Sequence, residues 1–188
     1  RREPSPGRVT LADNLLALIP LIRGEKVLVI EDDDWYAAGY LEAMSALLDH
    51  GDLAGEKGGA YYNVRNRRWY VENPERRFHV SLFRTGFSPR MLGLLFKVCT
   101  KCRDERLIQV DVMLWRAAHE HKATRDWSGI SLGVKGLPGR AGAGKGHRLV
   151  YPNFDDDGSI LRRWLGTEAK EYGRFLGEKC TRKSGISS

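Results

Sequence analysis

The sequence predicts an α/β fold, a mixed sheet flanked by helices within one domain, and three observations predict it. Residues 27–30 are a continuous Val/Leu/Ile run, the pattern of a strand covered on both faces. Apolar residues at helical spacing stand before that run (Leu15, Leu16, Ile19, Ile22) and after it (Tyr40, Leu41, Met44, Leu47, Leu48). The length of 188 residues sustains one hydrophobic core and leaves little room for a second.

The elements follow in order. Residues 1–9, with Pro and Arg, read as a flexible lead-in, and residues 178–188 as a flexible tail. Thr10 and Asp13 stand at capping-box spacing ahead of the first helix, which Gly24 ends. The strand at 27–30 empties into four consecutive acids, Glu31 to Asp34, and the next helix stops at Gly51. Residues 60–71 are rich in Tyr, Val and Trp around Asn66 and Arg67, which predicts a hairpin; residues 78–83 predict another strand. Ser88-Pro89 opens a helix over 89–101, and Asp111 stands where an N-cap would precede a helix over 112–121. A strand at 130–134 leads into a glycine-rich loop reaching residue 146, and two short helices at 159–165 and 168–176 close the fold.

Composition narrows the class. Hydrophobic residues are 41% and charged residues 29%, which is globular rather than disordered. The longest apolar run, 15–22, contains Pro20 and is too short to span a bilayer. Three cysteines cannot all pair within one chain, which points to a reducing, cytoplasmic setting. The net charge of +7 favours an anionic partner. Twelve basic and four acidic residues, a net +8, fall between Lys57 and Arg106, opposite in sign to the acids at 31–34. That basic stretch and its Tyr61, Tyr62, Trp69 and Tyr70 suit a polynucleotide through phosphate contacts and base stacking.

Four adjacent carboxylates repel one another, and a divalent cation removes that cost. Mg2+ and Mn2+ take carboxylate oxygens, keep several waters and bridge to phosphates, which suits acids at the carboxyl end of a strand. If strand alternation holds, Glu31 and Asp33 face one way and Asp32 and Asp34 the other. An acidic turn that merely caps the next helix is the plainer alternative, although capping needs one acid rather than four.

Residues 27–36 and then Gly39, Tyr40, Leu41 and Glu42 resemble the segment of A-type glycosyltransferases, notably family 2, in which a hydrophobic strand ends in an Asp-x-Asp motif. The resemblance runs in order from Val9 to His147. It implies an A-type, Rossmann-like mixed sheet, N-terminally truncated because the family's leading nucleotide-binding unit has no counterpart ahead of Thr10. It implies Mn2+ or Mg2+ held by Asp33 and Asp34, and a nucleotide-sugar donor, a UDP-sugar foremost, met by Glu31 and Asp32. Glu31 stands where the family has Asp, which leaves Asp32-x-Asp34 open as the pair. Residues 109–115 are similar to the family's x-Glu-Asp element, with Val110 in place of Glu; the matching Asp111 is then the catalytic base that deprotonates an acceptor hydroxyl, giving inversion. A late histidine completes the metal shell in the family, and His147 stands there; Arg140, Lys145 and Arg148 would neutralise the departing diphosphate.

Other patterns carry less. Gly139 to Lys145 approaches a P-loop, but Gly146 replaces the hydroxyl residue that would bind Mg2+. Cys99 and Cys102 form a single CxxC without a second pair and with His119 and His121 read as structural or surface residues, while His79 reads as a satisfied core residue or as one lining the acceptor side. Asp155 to Asp157 read as a capped turn, or as a second metal cluster suited to a two-metal nuclease. The expected activity is therefore metal-dependent sugar transfer to an acceptor hydroxyl, on modified DNA or on a saccharide. The alternatives are a metal-dependent nuclease and a non-catalytic basic nucleic-acid-binding module.

Overall fold

The computed structural model describes residues 10–76, 78–118, 122–137 and 151–175. The lead-in at 1–9, the tail at 178–188, His119, His121 and the group Arg140, Lys145, His147 and Arg148 lie outside these residues. In chain order the elements are α1 (Thr10–Leu18), β1 (Val27–Leu28), β2 (Trp35–Tyr36), α2 (Tyr40–Leu47), β3 (Leu53–Lys57), β4 (Ala60–Asn63), β5 (Arg68–Val71), β6 (Thr85–Phe87), α3 (Leu92–Asp104), α4 (Val110–Ala117), β7 (Lys122–Asp126), β8 (Ser131–Lys135), β9 (Asn153–Phe154), α5 (Ser159–Leu165) and α6 (Ala169–Gly173). The fold is α/β. The chain divides into two compact units, Arg1–Ala60 with Val71–Gly133 and Tyr61–Tyr70 with Val134–Ser188.

The first unit is built on a mixed sheet of order β1-β6-β3-β7. Strand β6 runs antiparallel to both β1 and β3, and β3 runs parallel to β7. Helix α3 buries Leu95, Val98, Cys99 and Cys102, a face of i, i+3, i+4 and i+7 spacing, into a core shared with Leu53, Phe87 and Leu114. Burial pushes the Cys99 thiol up to about 12, so it packs as an apolar group rather than a nucleophile or metal ligand. Helix α2 places Tyr40 and Met44, one turn apart, on a second apolar cluster with Leu48 and Ala54.

The apolar run at 27–30 is continuous for a visible reason. Val27 and Val29 pack on the first cluster and Leu28 on the second, so alternate side chains both need apolar character. It is nevertheless the sheet's edge and not an interior strand. Its ladder is two residues long, Val29 N–H adds one bond to the Thr85 carbonyl, and Ile30 is 50% exposed where the chain leaves the sheet. A four-residue apolar run does not distinguish an edge strand from a central one when both faces are covered. The strand expected at 78–83 is also absent: Phe78 and His79 lie in a bend, Leu82–Arg84 form a 3-10 turn, and the strand is Thr85–Phe87. Helix α4 starts at Val110, so Asp111 sits inside its first turn instead of capping it.

In the second unit the β4–β5 hairpin forms as expected. Asn63 Oδ1 accepts the N–H groups of Arg65 and Asn66 across the turn, and Arg67 adopts a φ of 56°. β9 pairs antiparallel with β5. The aromatic rings pack in two groups, Tyr61, Tyr70 and Tyr151 in one and Tyr62, Trp69 and Trp164 in the other. No described helix is long and apolar enough to cross a membrane.

Candidate functional site

The four acids begin where the β1 ladder has ended, so strand alternation no longer governs them. Asp34 N–H donates to the Glu31 carbonyl at 3.3 Å, closing a turn with Asp32 and Asp33 at its corners. The turn gathers Glu31, Asp33 and Asp34, each offering one carboxylate oxygen within 4.8 Å of the others. Asp34 is buried at 8% exposure, Glu31 and Asp33 are half-buried, and Asp32 is exposed and outside the group. The expected split, Glu31 with Asp33 against Asp32 with Asp34, is therefore corrected, because a turn rotates consecutive side chains by other angles than a pleat does.

The turn is anchored from behind. Glu31 N–H donates to Tyr36 Oη at 3.0 Å, and the Tyr36 hydroxyl donates to the Phe83 carbonyl at 3.1 Å. The Tyr40 hydroxyl donates to the same carbonyl at 3.2 Å. Burial above all, with the charges of Asp34 and Glu31, raises the Tyr36 hydroxyl far beyond its ordinary value, so it stays a donor. Next along the same 3-10 turn, Arg84 points inward. Its Nη2 donates to Glu72 Oε2 at 3.0 Å, with the two side chains 1% and 8% exposed. This guanidinium occupies the space above Gly59, where a Cβ would lie 1.0 Å from Nη1.

Asp111 is placed by α4, and α4 by Trp115. Trp115 Nε1 donates to Thr85 Oγ1 at 3.1 Å, and its ring lies over Gly55, where a Cβ would come within 2.7 Å of Cζ2. A side chain at position 55 would lift the helix off the sheet. Asp111 Oδ1 accepts Val112 N–H at 2.8 Å, while Oδ2 lies 3.9 Å from His79 Nε2. Burial raises the Asp111 carboxyl above its usual range; the Val112 N–H and His79 pull it down, and Glu72 adds to the rise. Its proton affinity is thus greater than that of a solvated carboxylate.

Among the expected site residues, the first unit therefore brings Glu31, Asp33 and Asp34 together, leaves Asp32 apart, and holds Asp111 on α4; Arg140, Lys145, His147 and Arg148 are outside the described residues. The aromatic residues expected to stack on bases are partly committed elsewhere: Tyr61 and Tyr62 are buried, and Tyr61 stacks on Tyr70 at 5.1 Å. The acids at 155–157 hold a helix start. Asp155 accepts the Tyr62 hydroxyl at 2.9 Å and the N–H groups of Ile160 and Leu161, and Asp157 accepts Ser159 N–H at 2.9 Å.

Sequence reasoning missed Tyr36, Glu72, Arg84 and Glu56. Glu56 is fully buried on β3 and accepts Ser131 Oγ at 2.6 Å and Ser128 N–H at 3.1 Å, which fastens the β7–β8 turn. The available signal was a charge amid apolar or glycine neighbours: Glu56 follows Leu53-Ala54-Gly55, and Arg84 interrupts Leu82-Phe83 and Thr85-Gly86-Phe87. No protein-family model matches the chain, and no curated protein matches it.

Proposed function

We propose that the chain is a metal-dependent A-type glycosyltransferase that moves a sugar from a nucleotide-sugar donor, a UDP-sugar foremost, to an acceptor hydroxyl with inversion. The observation that carries this reading is the convergence of Glu31, Asp33 and Asp34 where β1 ends. Their chemistry fits Mg2+ or Mn2+: all three donors are hard carboxylate oxygens. Their oxygens already lie within 4.8 Å of one another, so Glu31, Asp33 and Asp34 would be the residues to hold a small hard cation. When bound, the ion supplies charge neutralisation for the donor's diphosphate.

The chain's own residues supply the rest. Asp111 takes the proton of the acceptor hydroxyl as its oxygen bonds to the anomeric carbon; the bond from that carbon to the diphosphate oxygen breaks, and its electron pair leaves with the diphosphate. A carboxyl raised by burial is the better proton acceptor, provided it remains ionised at working pH. The Tyr36 hydroxyl holds Glu31 through its backbone, so the acidic turn is positioned before any ion arrives. The competing two-metal nuclease needs Asp155–Asp157 as its second cluster, and Asp155 there is spent on Tyr62 and on the α5 backbone.

A thermal-shift screen of nucleotide sugars with and without Mn2+ tests the proposal. Mn2+ at about a hundredfold over its Kd stabilises the folded chain by about 2.7 kcal/mol, and a cognate donor adds to that only when Mn2+ is present. Asp33→Ala abolishes the Mn2+ response and Asp32→Ala keeps it. Equal loss in both variants, or none in either, refutes the metal assignment.

A further inference from the structure

We propose that His79 is the positioning residue of Asp111, forming with it an imidazolium–carboxylate pair that holds Oδ2 in place and keeps the carboxylate ionised. This rests on the reading of Asp111 as the base. The geometry comes from two separate elements. His79 belongs to the bend before Val80, and Asp111 to the first turn of α4. Their Nε2 and Oδ2 atoms are 3.9 Å apart, with the side chains only 11% and 26% exposed.

Helix α4 grips the bend at a second point. The Arg116 guanidinium lies over the Phe78 ring at 4.6 Å, and that ring packs on the His79 imidazole at 5.1 Å. Val80, the next residue, is buried beside the position where a Gly55 Cβ would lie. The imidazole is thus held against α4 by its neighbours on either side, with little freedom to turn from Asp111.

The separation makes this a charge contact rather than a hydrogen bond. Its strength therefore depends on protonation of His79, because a neutral imidazole offers Asp111 no charge. Other charged groups bear on the pair. Glu72 repels the Asp111 carboxylate and is itself neutralised by Arg84; Cys102 senses Asp111 from α3; Arg116 stands beyond Phe78. Asp111 Oδ1 is committed to Val112 N–H. Fixing Oδ2 from the His79 side therefore selects the remaining orientation of the carboxylate.

The test is a pH titration of the full chain by NMR, reading the five histidine rings and assigning His79 through His79→Gln. Asp111→Asn is expected to lower the His79 pKa by about one unit or more. Carboxyl-detected titration of Asp111 in His79→Gln gives the reciprocal result, a further rise in the Asp111 pKa, and serves if Asp111→Asn does not fold. An unchanged titration in either arm overturns the pair. Neither arm needs a substrate: coupled titrations in a chain that transfers no sugar would uphold the pair and refute the transferase reading alone.

Discussion

Gly59→Ala tests the buried link behind the candidate site most sharply. A Cβ at position 59 would lie 1.0 Å from Nη1 and 2.0 Å from Cζ of Arg84, inside the guanidinium. A surface arginine would swing aside at little cost, but Arg84 is 1% exposed and bonded to Glu72, itself 8% exposed. Displacing it breaks a buried ion pair and leaves Glu72 without its guanidinium, which costs about 3–5 kcal/mol. That is a large share of the roughly 5–15 kcal/mol by which an ordinary domain is stable. With an m-value of about 2 kcal/mol/M in urea, the unfolding midpoint should fall by about 1.5–2.5 M. The clash must vanish with its partner. In an Arg84→Ala background, Gly59→Ala should cost under about 1 kcal/mol, giving a strongly non-additive cycle. A loss below about 1 kcal/mol in the wild-type background, or the same loss in both, would refute the packing argument.

Other outcomes follow from the same structure. Asp111→Asn should raise the melting temperature at neutral pH. A buried carboxyl whose folded pKa is raised binds more protons folded than unfolded, so its charge destabilises above the folded pKa and the gain over wild type disappears as pH falls through it. A gain that persists at low pH would contradict this. Tyr62→Phe removes the hydrogen bond to buried Asp155 and should cost about 1–2 kcal/mol in urea unfolding, whereas Asp156→Asn, at an exposed position, should fall within about 0.5 kcal/mol. Met44→Ala should cost about 2–5 kcal/mol and Leu41→Ala less than about 1, since helix α2 buries Met44 fully and leaves Leu41 mostly in solvent; similar losses would mean the helix packs by another face. Glu31→Gln should weaken the Mn2+ response measured by calorimetry without changing the melting temperature of the metal-free chain by more than about 2 °C.

Local patterns wrote much of this fold into the sequence. The α2 face is visible as Tyr40, Met44 and Leu48 at four-residue spacing, and the hairpin as β-formers around Asn66 and Arg67, because both depend on neighbours in sequence. Long-range choices were not visible. Residues 27–30 announce apolar cover on two faces but not that only β6 pairs with them among the described residues. The acidic cluster was legible as chemistry and illegible as geometry: four carboxylates in a row invite a cation, but which three converge depends on the Glu31–Asp34 turn. His79 and Asp111 are far apart in sequence, and nothing local says that a bend and a helix start face each other.

The buried charges explain why the candidate site stands where it does. Apolar residues in place of Arg84 and Glu72 would be neutral or stabilising in most cores, so stability alone is a weak reason for the pair. Its position supplies a better one. The Phe83 carbonyl takes the two tyrosine hydroxyls, one of which holds the Glu31 backbone, while the next residue, Arg84, neutralises the Glu72 charge that acts on Asp111. One three-residue turn thereby fixes the acidic cluster on one side and moderates the proposed base on the other. Arg84→Met should accordingly leave Mn2+ binding intact while raising the Asp111 pKa, because it removes the Arg84 charge that offsets Glu72. Loss of Mn2+ binding with an unmoved Asp111 would mean that the turn serves the acidic cluster alone.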